Sequence, residues 1–323
     1  MTRAVMVYYA WSREAEAGAP LGVIEDRFPT LFESRRMSYP RFEELADPER
    51  FDQGVGGFLD HVMRRNFAAF VDLASQSTGR PVIETERGGS DGCALDACGL
   101  DAVDTLIVIS FDSIRTGQQA SDGEIAVIRR FLDRPGTVAF ICPHHEIGEA
   151  PGLADEALHA QQLVDFLHHG DKTIPPRQRF GGFARSLLAG LGVPVENRFG
   201  LRPAAEPDGT PSPIEVESTL DRLGLLTAVA GLNLHAHLPQ LERMGDAATM
   251  MDVLVRQKID LAAPPHPFTR DGRATFDAIL QSRPEAFAGT LLVCDTTLWS
   301  STAGGVENLR RFWTNVLERA EES

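Results

Sequence analysis

Cysteine is scarce in this sequence, and it has no long apolar run. Its 323 residues include four cysteines, too few for a disulfide framework in a chain of this size, so we expect free thiols. No apolar run reaches the roughly 18 residues of a membrane-spanning helix. The N-terminus also lacks the apolar stretch and cleavage site of a secretory signal. These absences predict a soluble, cytoplasmic protein.

Basic residues are outnumbered. The chain has 31 Lys and Arg against 46 Asp and Glu, a net charge of −15, and its arginine pairs are short and scattered. An acidic chain without a basic stripe is poorly suited to a nucleic-acid backbone or an anionic membrane. We therefore expect a small-molecule substrate, no nucleic acid and no membrane as partners. A homodimer is compatible with the sequence, since symmetric pairs are the commonest soluble assembly.

Short apolar runs alternate with helical patterns, which is typical of βαβ units. One helix begins with a capping box, Ser121 followed by Glu124, because each side chain can bond the other's backbone amide. The pattern predicts a flavodoxin-like three-layer α/β sandwich with a mainly parallel sheet. We expect one domain over 1–323, with 150–265 as a partly inserted segment that in part completes the sheet and in part lies over the site. The predicted strands are 4–9, 81–85, 105–110, 137–142 and 290–295.

Polar side chains follow these strands where the strands end. Because ligands bind beyond the carboxyl ends of parallel strands, we expect substrate contacts there. The predicted substrate-binding residues are Tyr9, Asp112, Arg115 and Asp295. A richer group, Cys142 with His144, His145 and Glu146, follows the strand 137–142.

The phrase 138–148, Val-Ala-Phe-Ile-Cys-Pro-His-His-Glu-Ile-Gly, resembles the nucleophile turn of class I glutamine amidotransferases. Cys142 falls on the nucleophile position and His145 on the histidine that follows. The sequence departs from the family pattern at His144, where the family has a glycine. Three other phrases are similar to the ThuA-like branch of this superfamily: 104–110, the His-Pro-Phe-Thr phrase that begins at His266, and 290–295.

This resemblance implies a hydrolase that acts on a small polar substrate, at an amide or related C–N bond. Cys142, His145 and Glu146 would be its catalytic residues. Many members of the ThuA-like branch lack such a set, so a non-catalytic ligand-binding or assembly protein is the alternative. Two interpretations of Cys142 also remain open, a thiolate nucleophile and a small buried residue at a strand end.

The histidines suggest a second chemistry. If 232–238 is a strand, Asn233, His235 and His237 share one face, and the two imidazoles could bind one divalent metal ion such as zinc. The residues that could complete the metal site are His144, His145, Glu146, His169 and Asp171. A metal-bound water would then replace the thiolate as the nucleophile. The alternative is that these are separate loop histidines with ordinary hydrogen bonds. No nucleotide cofactor is expected, because the glycine pair 181–182 lacks the spacing of a phosphate-binding loop.

Overall fold

The sheet order identifies the fold. The structure is a computed structural model that describes residues 3–12, 14–15, 59–88, 95, 99–112, 116–144, 156, 159, 182–197, 199–263 and 266–319. The eight-stranded sheet contains β1 Val5–Ser12, β2 Ile83–Arg87, β3 Thr105–Ile109, β4 Val138–Cys142, β7 Glu215–Val216, β10 Met251–Lys258, β11 Thr275–Ser282 and β12 Thr290–Cys294. The short strands are β5 Val195–Glu196, β6 Gly200–Leu201, β8 Leu238–Pro239 and β9 Glu242–Arg243, and they form two separate pairs, β5–β9 and β6–β8.

The order across the large sheet is β2-β1-β3-β4-β12-β11-β10-β7. The first five strands in this order, β2, β1, β3, β4 and β12, pair with one another in parallel. The remaining three, β11, β10 and β7, each pair antiparallel with the strand before them. The parallel part follows the flavodoxin-like order, with β12 as its fifth strand. The predicted flavodoxin-like, mainly parallel sheet is therefore confirmed.

Helices cover both faces of this sheet. The helices are α1 Ala68–Thr78, α2 Asp122–Leu132, α3 Phe183–Gly190, α4 Ala247–Met250 and α5 Val306–Glu318. Alternate residues of β1 separate the two cores, since Val7 and Tyr9 pack on the side of α1 and α5. Met6 and Tyr8 pack with α2 and α3 on the other side. Side chains of successive strand residues point to opposite faces, so a strand buried on both faces is apolar throughout.

Two regions differ from the sequence-based expectation. The sequence pattern does not delimit the strands β10 and β11. It does predict that part of 150–265 completes the sheet, and β7 and β10 are the strands of that region that join it. The interpretation of 232–238 as a strand is wrong, because residues 231–237 have no strand pairing and only Leu238–Pro239 forms a short one. Within the described ranges, no helix has the length and apolarity that a bilayer crossing requires.

The predicted capping box of α2 is present. The Glu124 backbone N–H donates to Ser121 Oγ at 3.2 Å, and the Ser121 N–H donates to the Glu124 carboxylate at 2.8 Å. Glu124 is fully buried and also accepts hydrogen bonds from the Arg87 guanidinium, at 2.9 Å for Nε. The cap therefore connects the start of α2 to the end of β2.

We expect Ser121→Ala to lower the free energy of unfolding by about 1 kcal/mol, because the Glu124 amide loses its acceptor at the start of α2. Urea unfolding followed by circular dichroism measures the change. Thr314→Ala is the matched control, since that hydroxyl is exposed and bonds only within its own helix; it should change the value by less than about 0.5 kcal/mol. Equal effects of the two substitutions would contradict a specific role for the cap.

Candidate functional site

The carboxyl ends of β4 and β12 carry a buried imidazole–carboxylate pair. His144 follows β4 by two residues, and Asp295 directly follows β12. The two strands pair in parallel, with Val293 opposite Ile141, so both side chains lie at the same sheet edge. His144 Nδ1 lies 3.9 Å from Asp295 Oδ2. The residues are only 5% and 3% exposed, which leaves little water to screen their interaction.

Asp295 is held in place by its own turn. Its Oδ1 accepts a hydrogen bond from the Thr297 backbone N–H at 2.8 Å and another from the Thr297 hydroxyl. This is an N-cap on the 3₁₀ turn Thr296–Trp299. The remaining oxygen, Oδ2, is the one that faces His144. One carboxylate oxygen thus fixes the side chain, and the other is directed toward the imidazole.

The position of His144 is set by its neighbours. Its carbonyl oxygen accepts a hydrogen bond from the Asn197 side chain, and its ring centre lies 4.1 Å from that of Phe111. Asn197 in turn accepts from the Arg185 guanidinium at 3.3 Å. Segments that follow β3 and α3 therefore contact His144, one at its ring and the other at its carbonyl.

His235 and His237 reach the same edge from a loop. The Asn233 amide donates to Thr297 Oγ1 at 2.8 Å, and Asn233 Oδ1 accepts from the His235 backbone N–H. The His235 ring centre is 6.4 Å from that of His144 and 6.4 Å from that of His237. The loop is positioned by hydrogen bonds, although its expected strand does not exist. His144 and His235 are therefore neighbours, as the sequence-based site requires.

The loop also depends on a glycine. Gly305 has φ +64°, and a Cβ there would collide with the carbonyl oxygen of Leu232. A backbone hydrogen bond also joins the loop to the segment before α5, since the Leu234 N–H donates to the Ala303 carbonyl at 2.8 Å. A residue without a side chain is required at 305 for the loop to pack this closely before α5.

A further histidine, His266, lies outside the set of site residues that the sequence predicts. Its Nδ1 accepts a hydrogen bond from the Phe268 backbone N–H at 3.1 Å. Its Nε2 is buried and has no hydrogen-bond partner among the described residues. Burial, and then the charge of nearby His237, lower the pKa of His266 to about 4. The His-Pro-Phe-Thr phrase that begins at His266 is the sequence signal for this residue, but the phrase indicates only the fold.

The geometry does not support the predicted metal site at His144, His235 and His237. Among the described residues, no three His, Cys, Asp or Glu side chains converge in a way that would hold a metal ion. His235 Nδ1 accepts the His237 backbone N–H at 3.3 Å, so a neutral ring carries its proton on Nε2. The lone pair of that ring is then engaged within its own loop.

Cys142 is enclosed in the core beneath this edge. It is fully buried, its Sγ lies 3.7 Å from Cys294 Sγ, and the Trp299 indole N–H donates to it at 3.2 Å. Burial, and then the neighbouring Cys294 thiol, raise the pKa of Cys142 well above its ordinary value. A nucleophilic cysteine needs the opposite shift. This environment favours the structural interpretation of Cys142.

The other predicted residues lie at the same sheet edge or outside the described residues. Tyr9 is fully buried on the α1 side, and its hydroxyl donates to Glu84 at 2.6 Å. Asp112 is also buried, and it accepts hydrogen bonds from Ser110 Oγ and from the first backbone N–H of α3. These two side chains are engaged by the protein's own groups. The predicted residues Arg115, His145 and Glu146 lie outside the described residues.

We expect Cys142 and Cys294 to resist alkylation in the folded protein at pH 7 to 8.5, because both thiols are buried. Both should be labelled after unfolding in guanidinium. Peptide mass spectrometry after iodoacetamide treatment identifies the labelled positions. Labelling of native Cys142 well below the ordinary thiol pKa of about 8.5 would restore the nucleophile hypothesis.

His266 should make the fold sensitive to acid. Its pKa is about 4 in the folded chain and about 6.5 when unfolded, so the unfolded state binds more protons between these values. Stability therefore falls as pH decreases from about 6.5 to 4, by about 3 kcal/mol for this group. His266→Phe should lack that part of the decrease when urea unfolding is compared at pH 7 and pH 4. Identical pH dependence in the two proteins would contradict the assignment.

No family model matches the chain, and no curated protein matches it. Among solved structures, the chain is similar to a protein described as ThuA-like from Bacteroides uniformis, with 8% sequence identity and a TM-score of 0.40; the match covers 98% of this chain and 91% of that one.

It is also similar to the carbohydrate deacetylase Agd3, with 8% identity and a TM-score of 0.39. That match covers 98% of this chain and 32% of the other, so the chain spans about a third of the length of Agd3. Neither likeness carries an argument about activity, and the fold assignment depends on the sheet order itself.

Proposed function

We propose that the protein is a hydrolase that acts on a small polar substrate at an amide or related C–N bond, with His144 and Asp295 as its acid–base pair. The observation that carries the proposal is the buried His144–Asp295 pair at the carboxyl edge of a parallel sheet. That edge is where ligands bind in this class of fold. Buried imidazole–carboxylate pairs are a recurrent arrangement for general acid–base chemistry.

The two residues divide the work between them. The Asp295 carboxylate faces Nδ1 of His144, so it favours the tautomer with the proton on Nδ1 and stabilises the imidazolium that forms later. Nε2 is then the basic nitrogen. The separation of 3.9 Å is longer than a hydrogen bond, and such contacts often tighten only when a substrate is bound.

The proposed step begins when Nε2 of His144 takes a proton from a water molecule. The water oxygen attacks the carbonyl carbon, a C–O bond forms, and the C=O electron pair moves to the carbonyl oxygen. When that pair returns, the C–N bond breaks. The leaving nitrogen takes the proton from the His144 imidazolium, so the imidazole is regenerated and one water is consumed per bond.

This version uses water as the nucleophile and does not require the Cys142 thiolate. The thiol is enclosed by Trp299 and Cys294 in the core, whereas His144 and His235 lie at the edge. His235 is partly exposed, so it marks the side from which a substrate would reach the pair.

The test is hydrolysis of a panel of primary amides, N-acylated amines and cyclic amides, read as released ammonia or amine. For any substrate that is turned over, His144→Asn and Asp295→Asn should each lower kcat about hundredfold or more. His159→Asn is the matched control, because His159 is exposed, and it should leave kcat unchanged.

Three results would contradict the proposal. Full activity in His144→Asn would show that His144 is not the general base. Loss of activity after dialysis against a chelator would indicate a metal-bound water as the nucleophile. Absence of turnover across the panel, together with tight binding of one of its compounds, would favour the non-catalytic alternative on the same scaffold.

A further inference from the structure

His266 carries a hydrogen-bond donor for which the described part of the protein has no acceptor. Its Nδ1 accepts the Phe268 N–H, and its own carbonyl accepts the Thr269 hydroxyl at 2.9 Å. The ring therefore sits in a short turn that is bonded on both sides. The edge of Phe199 packs on it, with ring centres 5.6 Å apart. The position and orientation of this ring are set before any ligand arrives.

The bond to Nδ1 also determines where the proton is. Nδ1 uses its lone pair to accept from Phe268, so a neutral ring must carry its proton on Nε2. The ring is uncharged at pH 7 because its pKa is about 4. Nε2 is thus an N–H donor, buried and without a partner among the described residues. A buried donor left unbonded destabilises the protein, and a bound acceptor would remove that penalty.

His266 is connected to the proposed site through adjacent rings. Its ring packs on Phe199, and the Phe199 carbonyl accepts a backbone N–H at 3.0 Å from the third residue after His237. His237 neighbours His235, and His235 neighbours His144, each with ring centres 6.4 Å apart. His237 and His235 thus stand between His266 and the acid–base pair, so His266 would contact a part of the substrate remote from the bond that breaks.

We propose that His266 Nε2–H binds a carbonyl-type oxygen of the substrate and so acts as a positioning and specificity residue. This inference rests on the proposed function for the identity of the reaction. The substrate would carry a second carbonyl or carboxyl oxygen besides the scissile group. An N–H donor has nothing to bond in an analogue that lacks such an oxygen, and a site built around a polar contact rejects such analogues strongly.

Two substitutions distinguish the effect of the N–H donor from the effect of the ring. His266→Phe keeps a planar ring and removes the N–H, whereas His266→Gln removes the ring and keeps an N–H donor at about the same distance from the backbone. Thermal unfolding at pH 7 establishes that each variant is folded. If the phenylalanine variant does not fold, the wild-type protein and the glutamine variant still decide the matter through the measurements below.

The first measurement needs no turnover. Long-range ¹H–¹⁵N spectra of the ¹⁵N-histidine-labelled protein at pH 7 should show His266 as the Nε2–H tautomer. Titration with acetamide, and separately with acetate, should shift this resonance, and the more effective probe indicates whether the acceptor is an amide or a carboxylate. His266→Phe should bind that probe about tenfold more weakly, with partial recovery in His266→Gln. The Nδ1–H tautomer, or equal affinity in wild type and His266→Phe, would overturn the proposal.

The second measurement uses any substrate from the amide panel. His266→Phe should raise KM about tenfold with kcat within about twofold, because the contact is equal in ground and transition states. His144→Asn should instead lower kcat. A fall in kcat with unchanged KM in His266→Phe would refute the positioning role. Inactivity toward the whole panel would contradict the proposed hydrolase function but not the role of His266, because probe binding and the tautomer of His266 are measured without turnover.

Discussion

The parallel pairing of β4 with β12 is the constraint on which the site depends. These strands are far apart in the sequence, and their register places Ile141 beside Val293. His144 and Asp295 then leave the sheet from the same edge. If the register slipped by one residue, the side chains would point to the opposite faces. The site is thus a consequence of strand order before it is a consequence of any local motif.

Asp295 extends that constraint into the loop that carries the other histidines. It caps its own 3₁₀ turn through Thr297, and Thr297 accepts the hydrogen bond from the Asn233 amide. One carboxylate therefore fixes the turn after β12 and, through one further residue, the loop before β8. Buried polar networks of this kind stabilise a single arrangement when every member is satisfied. The charge of Asp295 has both a structural and a chemical use.

Much of the fold could be predicted from the sequence because buried parallel strands are apolar throughout and their helices begin with recognisable caps. The segments around Ile107, Phe140 and Leu292 show this pattern, and Ser121 with Glu124 marks a helix start. The strands β10 and β11 are harder to delimit, because Arg256 and Asp277 interrupt them. These two residues form an ion pair between the strands, at 3.0 Å, and such cross-strand pairs are invisible before the strands are aligned.

The site was predictable only in part. The rule that ligands bind at strand ends selected His144 and Asp295, but no sequence pattern distinguishes the fate of Cys142 from that of His144. The strand alternation turns the thiol toward Trp299 and into the core, and the chain leaves the sheet immediately afterwards. His266 was overlooked for a different reason. Its significance lies in a bond to Phe268 and in its burial, and both depend on tertiary contacts.

The position of β12 has a consequence for the synthesis of the chain. β4 ends at Cys142, and the strand that covers its free side begins at Thr290. While the ribosome is still making the intervening residues, one side of an entirely apolar strand has no neighbour. Such an edge is a template for pairing with other chains, and non-local pairing of this kind is slow to form. The nascent polypeptide must therefore shield β4 until its last strand has emerged.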